Sequence, residues 1–140
     1  MKVKRTETGF LVVLDVGDEV MDSLKKLAAA ERIGMASLTA IGAVRDVVLG
    51  YLDLDRKEYL RRELGADSME LIAMTGNLAL LNGEPVAHCH AVVGDREMRV
   101  FGGHLFEASV SVTVEIFLRV YEGEITRRPD PGSGANLISL

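Results

Sequence analysis

The chain of 140 residues has a single cysteine, Cys89, so no disulfide can form within it and a cysteine-rich zinc centre is excluded. Any metal must therefore be held by histidine and carboxylates. Tryptophan is absent. No apolar run reaches the ~18 residues of a membrane span, and no membrane partner is expected. Met1 to Glu7 is polar and charged, without the apolar stretch of a signal peptide, so the default expectation is a cytoplasmic protein. Positive charge is also scarce: the formal net charge is −5. Non-specific nucleic-acid binding needs basic residues to neutralise phosphates. The pairs Arg61-Arg62 and Arg127-Arg128 are short and read as solvated surface.

What is present is ordinary for a globular protein: 48% hydrophobic and 26% charged residues. That length fits one domain, 1–140, able to bury a core without staples. Residues 1–8 read as an N-terminal arm. Residues 127–140 read as a tail rich in Gly, Pro and polar residues, whose apolar end either docks as a short strand or frays.

The periodicity predicts many strands and one helix. Phe10 to Leu14 is a short apolar run of strand type. Asp18 is a plausible N-cap, and Val20, Met21, Leu24, Leu27 and Ala28 follow helical spacing. A helix is expected from about Glu19 to Ile33, closed by Gly34. Ala36–Ala43 and Val47–Leu54 read as two strands separated by Val44-Arg45-Asp46. Tyr59 to Glu63 fits a strand or a loop. Glu70 to Leu81 is a strand in which Gly76 is a bulge or a close-packing point. Asn82-Gly83 is a hairpin turn, and Gly94-Asp95 suits a second two-residue turn. From Ser109 to Val120 apolar and polar residues alternate, predicting a long strand with Val110, Val112, Val114, Ile116, Leu118 and Val120 facing the core. Phe117 interrupts the polar side and is a candidate contact for another element or subunit. The class is α+β, with hairpins in place of a repeated strand–helix–strand pattern.

All three histidines fall within seventeen residues, in His88-Cys89-His90 and Gly102-Gly103-His104. Residues two apart on a strand share a face, so His88 and His90 can reach one ion while Cys89 points away as a small buried hydrophobe. With a turn at Gly94-Asp95, His90 would oppose Arg99, and His104 would fall on the wrong face. A bulge at Gly102-Gly103 would correct it. Three imidazoles with an open fourth position suit zinc. Glu107, Glu115, Glu70 and Asp95 are candidates for a supporting contact or a fourth ligand. A His-x-His pair also arises by chance, and an isolated histidine serves equally in a core or on a surface.

The segments Gly76-Asn77, Asn82-Gly83-Glu84-Pro85, His88-Cys89-His90, Gly102-Gly103-His104-Leu105 and Thr113-Val114-Glu115, in this order, resemble the plants-and-prokaryotes conserved (PPC) domain family. Gly17-Asp18-Glu19, Ile41-Gly42-Ala43 and Gly50-Tyr51 agree. The resemblance implies a compact, barrel-like, mainly antiparallel sheet with one main helix packed on it. It also implies a homotrimer, and a zinc site on His88, His90 and His104. In plants the domain follows AT-hook motifs in nuclear DNA-binding proteins. Arg127-Arg128-Pro129 lacks the Arg-Gly-Arg-Pro core of that motif, and with the acidic charge this argues against DNA as a partner. The favoured expectation is a zinc-containing homotrimer with a ligand-binding or regulatory role and a small molecule at the metal. The alternatives are a zinc-dependent hydrolase or lyase, with Glu107 or Glu115 as general acid or base, and a DNA-binding protein by analogy with plant relatives.

Overall fold

The Phe10–Leu14 run lies in β2 (Gly9–Leu14), where Phe10, Val12 and Leu14 are buried and their neighbours half-buried. That alternation is the period of a strand with one face in a core. The structure, a computed structural model, describes residues 1–140. Before β2, the expected N-terminal arm is an exposed edge strand, β1 (Lys2–Thr6), paired antiparallel to it. No helix is long and apolar enough to cross a membrane.

The helix α1 runs Val20–Ala30, shorter than the periodicity predicts. Its N-cap is Glu19, not Asp18: the Asp22 N–H donates to one Glu19 carboxylate oxygen (2.6 Å) and the Ala108 N–H to the other (3.0 Å). One side chain thus caps the helix and ties it to the sheet. Gly34 is not the closing residue either. Arg32 takes the left-handed conformation (φ 53°), the Ile33 N–H donates to the Ala28 carbonyl (2.9 Å), and Ile33 is buried behind the cap. This is a Schellman-type ending with arginine in the usual glycine place. Val20, Met21, Leu24, Leu27 and Ala28 enter the core.

The remaining strands are β3 (Ala36–Asp53), β4 (Glu58–Glu63), β5 (Met69–Leu81), β6 (Glu84–Gly94), β7 (Val100–Val120), β8 (Thr126–Pro129) and β9 (Asn136–Ser139). The expected break at Val44-Arg45-Asp46 is a bulge inside one long strand, with Asp46 at φ 52°. Asn82 (φ 53°) and Gly83 (φ 82°) form the predicted two-residue turn between β5 and β6. Gly76 is a close-packing point in regular register: a Cβ there would lie 2.6 Å from the Cys89 sulfur.

β3 pairs with both β5 and β7, and β6 also pairs with both, so these four strands close a ring. β2 continues along β7 beyond β6, β4 extends β3, and β8 joins β5 in the sheet's parallel pairing. The result is an α+β fold with a barrel-like, mainly antiparallel sheet, as expected. A cluster of 28 buried residues fills it. Register shifts along β3 and β7 bend the strands into the ring. One of them turns Val112 outward, 64% exposed, although Val110, Val114, Ile116 and Leu118 are buried as expected.

Candidate metal centre

On β6 the alternation sends Cys89, Ala91 and Val93 into the core and His88 and His90 to the outer face. On β7 the register decides the outcome. The connection from β6 is a five-residue loop, Asp95–Arg99, not a two-residue turn at Gly94-Asp95. The Asp95 carboxylate accepts from the Glu97 (3.0 Å) and Arg99 (2.9 Å) N–H groups, and Met98 sits at φ 60°. The odd number of residues restores the parity: His90 pairs with His104 and Val93 with Phe101, and no bulge occurs at Gly102-Gly103. Gly103 has another reason to be glycine. A Cβ there would lie 2.7 Å from the Gly50 carbonyl oxygen of β3.

The three imidazoles converge. Ring centroids lie 4.9 Å apart for His88 and His104, 5.3 Å for His88 and His90, and 5.6 Å for His90 and His104. Each ring offers one ligand nitrogen such that all three lie within 4.8 Å of one another. Nitrogens on a tetrahedral zinc stand about 3.3 Å apart, a contraction within reach of modest side-chain rotation. The buried Nδ1 of His104 has no hydrogen-bond partner. An orphaned nitrogen on one of three clustered imidazoles fits a metal-binding role.

The site has a wall that the sequence did not disclose. Tyr59 of β4 and Phe106 of β7 pack on the His104 ring at centroid distances of 4.8 and 4.6 Å. Any Cβ at Gly50 would overlap Phe106, so this glycine makes room for the aromatic pair. The rings open into a cavity of about 770 Å³ whose far side is the C-terminal β8–β9 hairpin. Glu107, Glu115, Glu70 and Asp95 do not line this cavity, and no other Asp or Glu does. Glu107 is exposed, and Glu115 pairs with Val13 at the far end of β7, ~36 Å along the strand from His104 at ~3.3 Å per residue.

Arg127 corrects the reading of its pair as solvated surface. Arg128 is exposed, but Arg127 is 8% exposed and lines the cavity. It donates to the Asn136 carbonyl (2.8 Å), the Asn77 side-chain oxygen (2.8 Å) and Nδ1 of His88 (3.0 Å), while its Nε has no partner. The pairing of β8 with β5 places it there, and no local pattern signals that. Burial, then Arg127 and His90, lower the pKa of His88. Burial, then His88, His90, Arg127 and Arg61, push that of His104 down to about 4. Both rings are therefore neutral near pH 7, the state a metal ligand needs.

Comparison with known proteins decides the family. The Plants and Prokaryotes Conserved (PCC) domain matches residues 1–122. The chain belongs to this family. Arg127 lies beyond the matched stretch. The PPC fold recurs in solved relatives: a plant- and prokaryote-conserved protein of Pyrococcus horikoshii is 34% identical, with TM-score 0.87 over 99% of this chain and 94% of that one. A protein of Archaeoglobus fulgidus described as metal-containing is 35% identical, with TM-score 0.87 over 100% of both chains. A Ralstonia eutropha JMP134 protein, whose DNA-binding role is itself only proposed, is 34% identical, with TM-score 0.90 over 99% of this chain and 96% of that one. The chain is also 28% identical over 121 residues, 84% of its length, to the bifunctional protein GlmU of Synechococcus sp., and spans 18% of that protein.

Proposed function

We propose that this PPC domain binds one zinc ion per chain on His88, His90 and His104, acts as a homotrimer, and receives a small-molecule ligand at the ion in a binding or regulatory role. One observation carries the reading: three imidazoles offer ligand nitrogens within 4.8 Å of one another in the lining of a cavity. The metal-containing A. fulgidus relative supports it. An all-imidazole donor set suits zinc, and three protein ligands leave a position for water or ligand. When bound, the ion supplies Lewis acidity to whatever group reaches that position. Tyr59 and Phe106 hold the His104 ring in place and exclude water from its flank.

Exposed Ile41 and Phe117 support the trimer. They share an outward face of β3 and β7 at 57% and 63% exposure, apolar surface that a subunit contact would cover. Light scattering on purified protein should give three times the chain mass, and a monomer mass rejects the trimer.

The decisive experiment is metal analysis of protein purified without a histidine tag. Wild type should carry about one zinc per chain and the double variant His88→Ala/His90→Ala almost none. Equally low zinc in both sinks the reading. A hydrolase or lyase would use the same ion, but neither Glu107 nor Glu115 lines the cavity of its own chain, which favours the binding role. The net charge of −5 weighs against DNA, and absence of a mobility shift at low salt and micromolar protein would remove it.

A further inference from the structure

Arg127 is an anomaly of charge. The residue is more than nine-tenths buried, yet every hydrogen bond its guanidinium makes goes to a neutral acceptor: a backbone carbonyl, an amide oxygen and an imidazole nitrogen. No salt bridge involves it, and its Nε has no partner. Buried charges are normally paired, because desolvation is otherwise uncompensated. The protein is acidic overall, yet none of its 21 Asp and Glu residues lines this cavity. The missing counter-charge must come from outside the chain.

Metal binding sharpens the deficit. A guanidinium only donates, so Nδ1 of His88 is the acceptor in its bond with Arg127. A ligating imidazole gives one nitrogen's lone pair to the ion and carries a proton on the other. If Nδ1 takes the ion, it no longer accepts from Arg127. If the other nitrogen takes it, Nδ1 becomes a donor. In either case loading the site strips Arg127 of its His88 acceptor and frees an N–H beside a second positive charge.

We infer that the cavity receives a small organic acid, whose carboxylate is bound by Arg127 next to the histidine-held ion and whose apolar body lies against Tyr59, Phe106 and Leu137. This rests on the zinc reading above and names the ligand class that site takes. One guanidinium with an open metal position matches a singly charged, two-oxygen group. Lys25, the other cation of the lining, is exposed and lies 3.7 Å from the Asp22 carboxylate, so Arg127 is the buried cation left without a counter-charge, and a phosphate, with more charge and more oxygens, asks for more buried donors than it supplies. A cavity of about 770 Å³ has room for a body well beyond the carboxylate itself.

The test is calorimetric titration of zinc-loaded, tag-free protein in a carboxylate-free buffer with benzoate, benzamide and inorganic phosphate. Zinc content is measured on the same sample. Benzoate should bind at least ten-fold more tightly than its neutral isostere benzamide and than phosphate. Arg127→Gln should keep its zinc and lose at least ten-fold in benzoate affinity. Arg127→Lys should recover part of the loss, and Arg128→Gln should behave as wild type. The wild-type comparison of benzoate with benzamide needs no variant, so it decides the matter even if Arg127→Gln is unfolded. Equal affinity for benzamide, tighter binding of phosphate, or no benzoate binding to zinc-replete protein overturns the inference and leaves the zinc site intact. A wild type that takes up no zinc overturns both.

Discussion

His104 and Leu105 are neighbours on β7 and face opposite ways. Leu105 is 1% exposed within the apolar core, and packing alone satisfies it. His104 sits among Tyr59, Phe106 and two other imidazoles, with a buried nitrogen that bonds to nothing in the chain. The same contrast runs along β6, between Cys89 and the histidines on either side of it. The inner face of these strands is complete as folded. The outer face leaves buried polar atoms of His104 and Arg127 without partners in the chain, the contrast on which the proposed binding site rests.

Single substitutions can break that comparison. The largest effect is expected on the outer face: His104→Ala should weaken zinc binding by about 100-fold or more, while the unfolding free energy of the metal-free protein stays within about 1 kcal/mol of wild type. A chelator-competition titration and a denaturant melt read the two quantities, and retention of zinc would dissolve the contrast. Next, Leu105→Ala should cost about 2–5 kcal/mol in the same melt, because it opens a cavity in the core. A cost below 1 kcal/mol would mean that the inner face is not the scaffold described above.

Acid sharpens the contrast. The pKa of His104 is lowered from its ordinary 6.5 to about 4, burial being the main cause. The unfolded chain therefore binds the extra proton first. The contribution of neutral His104 to the stability of the metal-free protein is full above pH 6.5 and is lost as the pH drops from 6.5 towards 4. Screening at the half-open ring limits the loss to about 1–2 kcal/mol. Melting His104→Asn across that range should show a flatter profile, and an unchanged slope would remove His104 as its source. The smallest effect concerns the loop that sets the register. Asp95→Ala removes an acceptor of two loop N–H groups and should cost about 1 kcal/mol. The variant should still bind zinc, because the number of loop residues, and not the side chain, aligns His90 with His104. Loss of zinc there would assign the alignment to Asp95.

Much of the scaffold was legible in the chain. The alternation from Val114 to Leu118, the helical spacing from Val20 to Ala28 and the turn at Asn82-Gly83 are local signals, and local backbone preference agrees with burial there. Val112 departs from the alternation because a register shift against β3 intervenes, and that shift lies in the pairing of distant strands. Arg32 replaces Gly34 as the closing residue of the helix because Ile33 is captured by the core, which ends the helix two residues earlier than the glycine suggests.

By itself, the sequence determined that the protein is an α+β domain without disulfides, that His88 and His90 share a face, and that Cys89 turns inward, since each of these follows from composition or from a strand's period of two. Tertiary structure alone decided that His104 joins them, through a five-residue loop held between paired strands. It also decided that Tyr59 and Gly50 build the wall and that Arg127 leaves the surface to enter the cavity. These residues come from β3, β4, β7 and β8, and what brings them together is backbone pairing and burial between segments far apart in the chain, which no local stretch of residues encodes.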